Sequence, residues 1–472
     1  MIYNSFNFIL LFPLIFLFYY LIPAKYHIVR NWYLLAASYA LYIAWKPAYA
    51  LILLGVTGIT YCFALLVGKH QLSGKKGILT VGVILSLLPL TIFKYFNFLN
   101  EALSEGFSAF GIHAQLMGLN WAIPIGISFF TFQALGYLWD VYYGKISPEK
   151  DFCVYALFIS FFPSILSGPI NKASLVIPQI KNLRCYFDYS KAVEGLKLIL
   201  WGMFMKVVVA DRVGLYVDTV YGHYMSYSSL SCLMASGLYT IQIYADFGGY
   251  SLMAIGVGKV LGFELTENFR RPLFSYSVTD FWHRWHISLS TWLKDYIYIP
   301  LGGSRCSRLR NYWNIMITFL VSGIWHGANW TFILWGLMHG FFQVMEKAIG
   351  QSQCKYKGLG KMVKILITLF IINLAWIFFR MPTISDAFSV IAHILEFGNQ
   401  SEFFWPDFNN IFISFGVMLL LIKDFRDEFF PGKMKLMENR FLIVRWTTYL
   451  ALVIFIMLNG VLGSDQFIYA NF

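Results

Sequence analysis

The sequence predicts an all-α, polytopic integral membrane protein, and three observations carry that expectation. Of its 472 residues, 58% are hydrophobic and 19% aromatic while only 13% are charged, with a mean hydropathy of +0.62. A soluble chain of this length could not cover so much apolar surface. Apolar runs recur from end to end, each close to the roughly 20 residues a helix needs to cross a bilayer. Lys and Arg gather in the short stretches between those runs, the pattern of cytoplasmic loops.

Phe6 to Ile22 is the first such run. The residues MIYNSF carry no Lys or Arg and no small-residue cleavage site follows, so the run is expected to stay as a membrane helix. Tyr49 to Val67, Ile78 to Ile92, Trp330 to Met345, Val363 to Phe379 and Trp446 to Leu462 follow the same pattern, and about eleven spans are expected in all. Lys25 and Arg30, then Lys69, Lys75 and Lys76, then Lys347 to Lys364 and Lys423 to Arg445 are expected on the cytoplasmic side. Asn100 to Asn120 and Ile384 to Asp407 hold no Lys or Arg and are expected outside, as are both termini. The net charge of +12 is thereby read as topology, with membrane lipid and no nucleic acid as partner. No linker or internal repeat divides the chain, so residues 1–472 are expected to form a single membrane domain.

The middle differs from the ends. SFFPSILSGPI, from Ser160, is broken by Pro163, Gly168 and Pro169, and such breaks are tolerated at membrane depth only inside protein or beside a water-filled cavity. Arg270 to Arg310 holds seven Lys/Arg positions interleaved with Trp and Tyr, which reads as amphipathic helices at or dipping into the cytoplasmic interface. The six cysteines are scattered with no CxxC pair and no histidine at ligand spacing, so neither a disulfide framework nor a metal site is expected.

Two stretches carry the chemistry: FWHRWHISLSTWLKDYIYIPLGGSR over Phe281 to Arg305, and SGIWHGANWTFILWGLMHG over Ser322 to Gly340. Imidazole exchanges protons near neutral pH, and an ionisable group at membrane depth is a functional candidate by default. His326 sits in a GxxxG frame, Gly323 to Gly327, which lets a neighbouring backbone come close. A desolvated, neutral base is expected there, against the plainer role of a histidine bonded to a neighbouring helix. His283 and His286, three apart, would share one helical face with Ser290. His286 is the stronger candidate, to orient substrate, relay a proton or bind donor phosphates; the plainer role is an interfacial basic and aromatic face with Trp282, Arg284, Trp285 and Trp292.

His339 lies thirteen residues after His326. On one helix the two would point about 140° apart, so His339 is expected to be a packing residue unless the chain turns at Ala328-Asn329. Asp140, Asp246, Asp280 and Asp295 are the nearby carboxylates. Any of them can hold an imidazole in one tautomer, while pairing with a nearby Arg is the plainer role, favoured for Asp280 and Asp295. A straight helix from Asn311 would put His326 about 24 Å along its axis, out of contact with His286 unless the segment tilts or re-enters. The chain has no GxSxG elbow and no Walker A or GxGxxG motif, so direct transfer with a histidine base suits the inventory better than a covalent acyl-enzyme.

These two stretches resemble the signature of the membrane-bound O-acyltransferases, in the bacterial branch typified by the alginate O-acetylase membrane component and the teichoic-acid D-alanylation protein, and lie closest to the former. GISFFTFQALGYLWDVYYG from Gly126, SFFPSILSGPI from Ser160, YADFGGYSLMAIGVGKVLGFELTENFRRP from Tyr244 and LAWIFFRMPTISDA from Leu374 extend the resemblance over most of the chain. It implies a helical bundle with re-entrant segments around a tunnel and a catalytic core at about residues 120–345. The catalytic histidine then falls on His326 within WHG, and the second motif histidine on His286 within RWH. Lys294 stands in KDYIYIPLGG where that branch usually has Arg, keeping the charge but losing the bidentate fork.

The resemblance further implies an acyl thioester donor, acetyl-CoA, presented from the cytoplasmic side. A phosphopantetheine-linked acyl carrier protein is the alternative donor. Arg284, Lys294 and Arg305 would attract the donor phosphates, with no metal, and the oxyanion would be met by groups the sequence does not identify. The acceptor implied is an exported or cell-envelope polysaccharide, served by an extracytoplasmic partner acetylase, and the location is the bacterial inner membrane. The rival activities are transfer of D-alanine and transport of a lipid-linked glycan with the histidines as proton relays.

Overall fold

The computed structural model describes residues 6–69, 74–111, 118–166, 168–182, 186–350, 358–396, 402–404, 410–433, 435–461 and 468. Regular structure among them is helical, apart from one isolated bridge between Tyr227 and Glu402. Cys185 and Cys354 lie outside the described residues, and Cys62, Cys153, Cys232 and Cys306 are free thiols.

The N-terminal helices are α1 (Phe6–Leu21) and α2 (His27–Ile43), bent on each other by 104°, then α3 (Pro47–Lys69) and α4 (Lys75–Leu90). A π-helical turn, Thr91–Tyr95, carries α4 into α5 (Phe96–Ala109). Next come α6 (Ile127–Tyr142), α7 (Phe152–Ser160), the single turn α8 (Phe162–Ile165) and α9 (Ala173–Asn182). Then α10 (Tyr189–Met203) runs through a second π-helical stretch, Phe204–Ala210, into α11 (Asp211–Gly222), and the long α12 (Ser229–Val260) follows. Two short helices, α13 (Val278–Arg284) and α14 (Ile287–Leu293), lead to a third π-helical turn, Lys294–Tyr298. The chain continues through α15 (Arg308–His326), α16 (Trp330–Ala348), α17 (Gly358–Arg380), α18 (Ile384–Leu395), α19 (Asn410–Phe429) and α20 (Leu442–Asn459).

By length and composition, α3, α4–α5, α17 and α20 are able to cross a bilayer, and the bent α1–α2 pair makes a fifth if it is one span. The runs read from Tyr49, Ile78, Val363 and Trp446 are therefore helices of that kind, the second extended to Ala109. The expected count of about eleven is not reached on this criterion. Much of the middle of the chain lies in helices that are short, kinked or lined with inward polar side chains, whose apolar character is too diluted for a length-and-hydropathy test.

Local sequence explains where several helices begin. Asp151, Asp188, Ser228, Ser277, Asn329 and Thr383 each cap a helix N-terminus by accepting its first free amides. At Asp188, the Ser190 hydroxyl and the Lys191 amide hold the carboxyl below its usual pKa. The broken stretch after α8 is buried, with its amides answered by side chains: Ile170 N–H donates to Ser288 Oγ (3.0 Å) and Asn171 N–H to Gln133 Oε1 (3.2 Å).

Glycines set the closest helix contacts. On α10 and α12, Gly195 faces Gly256 and Gly202 faces Gly249, and a Cβ at any of the four would overlap the opposite backbone. Gly256→Leu is expected to force the pair apart and destabilise the protein by about 1–3 kcal/mol, read as a lower thermal midpoint in detergent; an unchanged midpoint would show that the pair tolerates separation.

Buried charge is paired. Lys206, on the second π-helical stretch, is fully enclosed and meets Asp211 at 2.7 Å and Asp246 at 2.6 Å. Elsewhere Arg284, Arg271 and Lys361 converge on Glu428 (2.8, 3.4 and 3.3 Å). This cluster unites three segments whose Lys and Arg content predicts the same side of the membrane.

Candidate active site

The site is built where α6, α14, α15 and α16 meet. His286 is completely buried, yet its backbone is left-handed (φ 42°), a conformation that is strained for a non-glycine residue and clusters at functional sites. The helix expected to carry both His283 and His286 is broken between them: α13 stops at Arg284, Trp285 is extended and His286 starts α14. His283 is consequently exposed on α13 while His286 points into the core, and their expected shared face does not exist.

Asn268 fixes the His286 ring. Its Oδ1 accepts from Ser288 Oγ (2.9 Å) and the Ser288 amide (3.3 Å), while its Nδ2 donates to Ser251 Oγ (2.9 Å). Oδ1 being an acceptor, the 3.1 Å contact from His286 Nδ1 requires the proton on Nδ1, leaving Nε2 basic. The tautomer-holding group is thus an asparagine. None of the four candidate carboxylates takes this role: Asp140 pairs with Lys145 (3.1 Å), Asp246 with Lys206, Asp280 with Arg284 (3.0 Å) and Asp295 with Lys172 (2.6 Å).

His326 is the last residue of α15 and is buried. Gly323 lets α16 approach, since a Cβ there would strike the Phe332 carbonyl. The His326 ring stands edge-on to Trp325 (4.9 Å), Trp335 (4.8 Å) and Phe379 (5.4 Å). Trp325 also meets His286 (5.7 Å), so one indole touches both imidazoles. The distance anticipated from a straight α15 is closed by α13 and α14, which carry His286 into the core.

The turn at Ala328-Asn329 exists, and it makes α15 and α16 neighbours. His339 therefore does not point away from His326: both flank the Trp335 indole at 4.8 Å. Trp282 Nε1–H donates to His339 Nδ1 (3.2 Å); an indole only donates, so a neutral His339 carries its proton on Nε2.

Two small cavities lie along α6. The first, about 30 Å³, is walled by His326, Trp325, Lys94, Gly126, Ser128 and Phe129. The second, about 10 Å³, is walled by Gln133, Gly136, Ser288, Trp292, Tyr296 and Lys172, the last in its ion pair with Asp295. Between them Phe132 stacks on Trp292 (3.9 Å, 18°), whose Nε1–H donates to the Phe132 carbonyl (2.8 Å). The first cavity adjoins the loop before α6, expected outside; the second is walled by Lys172, whose partner Asp295 lies in the basic stretch expected at the cytoplasmic interface.

Lys94 was not among the sequence candidates, although it is the sole charged residue between Lys76 and Glu101, the kind of isolated charge that marks function in a membrane span. Of the expected donor-phosphate ligands, Lys294 and Arg305 are exposed and make no ion pair among the described residues. The Arg284 guanidinium is committed to Asp280 and Glu428. No group of three His, Cys, Asp or Glu suited to a metal occurs among the described residues.

A family model described as MBOAT, membrane-bound O-acyltransferase family, matches residues 150–357. The chain is 36% identical over 401 residues to the probable alginate O-acetylase AlgI of Pseudomonas aeruginosa, covering 84% of this chain and 75% of that protein. It is 36% identical over 408 residues to the peptidoglycan O-acetyltransferase of Helicobacter pylori, covering 80% and 76%. A more distant similarity, 26% over 285 residues, links it to the teichoic acid D-alanyltransferase of Bacillus subtilis, covering 59% and 70%.

Proposed function

The chain belongs to the membrane-bound O-acyltransferase family and is a multi-pass membrane O-acyltransferase, and from that premise we propose that it moves an acetyl group from cytoplasmic acetyl-CoA to hydroxyls of an exported or cell-envelope polysaccharide, with His326 as general base. The observation that carries this reading is the burial of His326 on a cavity, with the Trp325 indole touching both it and the buried His286. Two relatives of high coverage are named for O-acetylation of alginate and peptidoglycan, which favours acetyl over D-alanyl transfer.

His326 accepts the hydroxyl proton as the oxygen attacks the thioester carbon. The carbonyl electrons move onto oxygen, and collapse of the tetrahedral species re-forms C=O, breaks C–S and returns the proton to the departing thiolate. Trp325, Trp335 and Phe379 keep water from the imidazole. His286, with Nδ1–H held by Asn268, offers Nε2 to orient substrate or relay the proton. Lys294 and Arg305 attract the donor phosphates from the cytoplasmic interface, and Arg284 holds α13 in place through Asp280 and Glu428. The broader proposal places the enzyme in the bacterial inner membrane with a catalytic core at about residues 120–345 and about eleven spans, working with an extracytoplasmic partner acetylase.

Purified protein reconstituted in lipid nanodiscs, given radiolabelled acetyl-CoA or a D-alanyl carrier-protein thioester together with candidate polysaccharides, tests the donor. Release of CoA with label transferred to glycan supports the reading. Consumption of the D-alanyl thioester alone would replace it with D-alanyl transfer, and glycan translocation in vesicles without loss of either thioester would replace it with transport. Asn268→Leu, assayed per folded protein, is expected to lower kcat by about 10²-fold, because His286 loses its fixed tautomer; an unchanged kcat would remove His286 from the mechanism.

A further inference from the structure

We infer that the oxyanion formed during transfer is stabilised by the Lys94 ammonium together with the N-terminal turn of α6, a catalytic site on the wall of the first cavity that His326 also lines; the inference rests on the acyl-transfer reading above. Lys94 is buried, and its Nζ donates to the Trp325 carbonyl (2.7 Å) and to Ser128 Oγ (3.3 Å). Both acceptors are neutral, and Lys94 forms no ion pair with a carboxylate among the described residues. The other buried lysine among the described residues, Lys206, is matched by two acids. A buried cation met only by neutral acceptors is expensive, and an ammonium has three N–H donors, so one remains for the cavity that Lys94 lines.

The second component is independent of the first. α6 begins at this cavity, with Gly126, Ile127, Ser128 and Phe129 all on its wall. The first amides of a helix have no intrahelical acceptor and carry the positive end of its dipole. The amides of Ser128 and Phe129 make no hydrogen bond among the described residues. Gly126 is left-handed (φ 77°), and a Cβ there would strike the Ile165 carbonyl, so the approach of this turn to the site depends on glycine. The Trp325 carbonyl that anchors Lys94 belongs to the residue before His326, which ties the cation to the base.

At about 30 Å³ the cavity has room for about two water-sized groups and not for a sugar ring, the scale of the reacting atoms rather than of a substrate body. As the hydroxyl oxygen bonds to the acyl carbon and its proton passes to His326, the former carbonyl oxygen gains the π-electron pair. That charge is met by Lys94 and the α6 amides until C=O re-forms and thiolate leaves. The fixed positive groups are in place beforehand, so stabilisation requires no reorganisation.

The test compares wild type, Lys94→Met, Lys94→Gln and Lys94→Arg on whichever acyl thioester wild type consumes. Each is assayed for kcat, KM, inhibition by a trifluoromethyl-ketone analogue that forms a tetrahedral adduct, and inhibition by desulfo-CoA as a ground-state competitor. The neutral variants are expected to lose about 10²–10³-fold in kcat, with the ketone weakened in parallel, desulfo-CoA affinity and thermal midpoint unchanged, and Lys94→Arg intermediate. If Lys94→Met fails to fold, Lys94→Gln carries the same expectation. Unchanged kcat in a folded neutral variant overturns the site, as does equal weakening of desulfo-CoA, which would make Lys94 a donor-binding residue. A wild type inert to every acyl thioester would remove the acyl-transfer reading and this site with it, whereas an active wild type with equally active Lys94 variants removes this site alone.

Discussion

His326→Ala is expected to reduce acyl transfer by roughly 10²–10⁴-fold while yield and thermal midpoint stay close to wild type. The imidazole ends α15 and is bounded by Trp325, Trp335 and Phe379, so truncation removes a proton acceptor from a wall whose aromatic members remain. His326→Gln separates the base from a hydrogen-bonding role. Glutamine retains a donor and an acceptor but does not titrate, and as a base replacement it should fail as completely as alanine. Turnover of His326→Gln within a few fold of wild type would assign proton abstraction to another group, with His286 Nε2 next in line.

The largest expected stability effect lies at Lys206. Lys206→Met leaves the Asp211 and Asp246 carboxylates enclosed without their ammonium, and breaking a buried ion pair costs about 3–5 kcal/mol. The expected result is loss of monodisperse protein on extraction into detergent, or a thermal midpoint lowered well beyond that of any single apolar truncation nearby. Asp246→Asn should be milder, since it leaves a matched Lys206–Asp211 pair and an amide that still accepts from the Ile468 amide. The reverse order, Asp246→Asn more damaging than Lys206→Met, would show that the two acids share a proton rather than a lysine.

Much of the helical layout was legible because oil is legible: long apolar runs become helices wherever they occur, as at Tyr49 and Val363. His326 and His286 were also legible, as imidazoles in a hydrophobic setting. The break between Arg284 and His286 was not. No Gly or Pro marks it, the aromatic spacing continues through it, and it is forced by tertiary contacts that seat His286 in the core. The fate of the carboxylates was equally hidden, because Asp295 finds its partner in Lys172 and Asp246 in Lys206, far away along the chain. The neighbourhood of His326 and His339 needed the Ala328-Asn329 turn to be real. Lys94 was legible too, as the one charge between Lys76 and Glu101, but nothing in its local sequence ties it to the distant histidine stretches it joins in the fold.

The three π-helical stretches each hold a lysine: Lys94, Lys206 and Lys294. A π-bulge amounts to one residue inserted into an α-helix, so the residue count within each stretch is itself a coordinate of the structure. Deleting one residue from Thr91–Tyr95 would close the wide turn to α-winding and leave the helix beyond it close to its present rotation and height, because the wide turn is what absorbs the extra residue. Phe98 would then keep its place against Trp330 (5.3 Å), while Lys94, inside the wide turn, would lose its aim at the Trp325 carbonyl. The wide turn is thus what aims the lysine, and a single-codon deletion at Thr91–Tyr95 should abolish the Lys94 contact while sparing the helix contacts on either side.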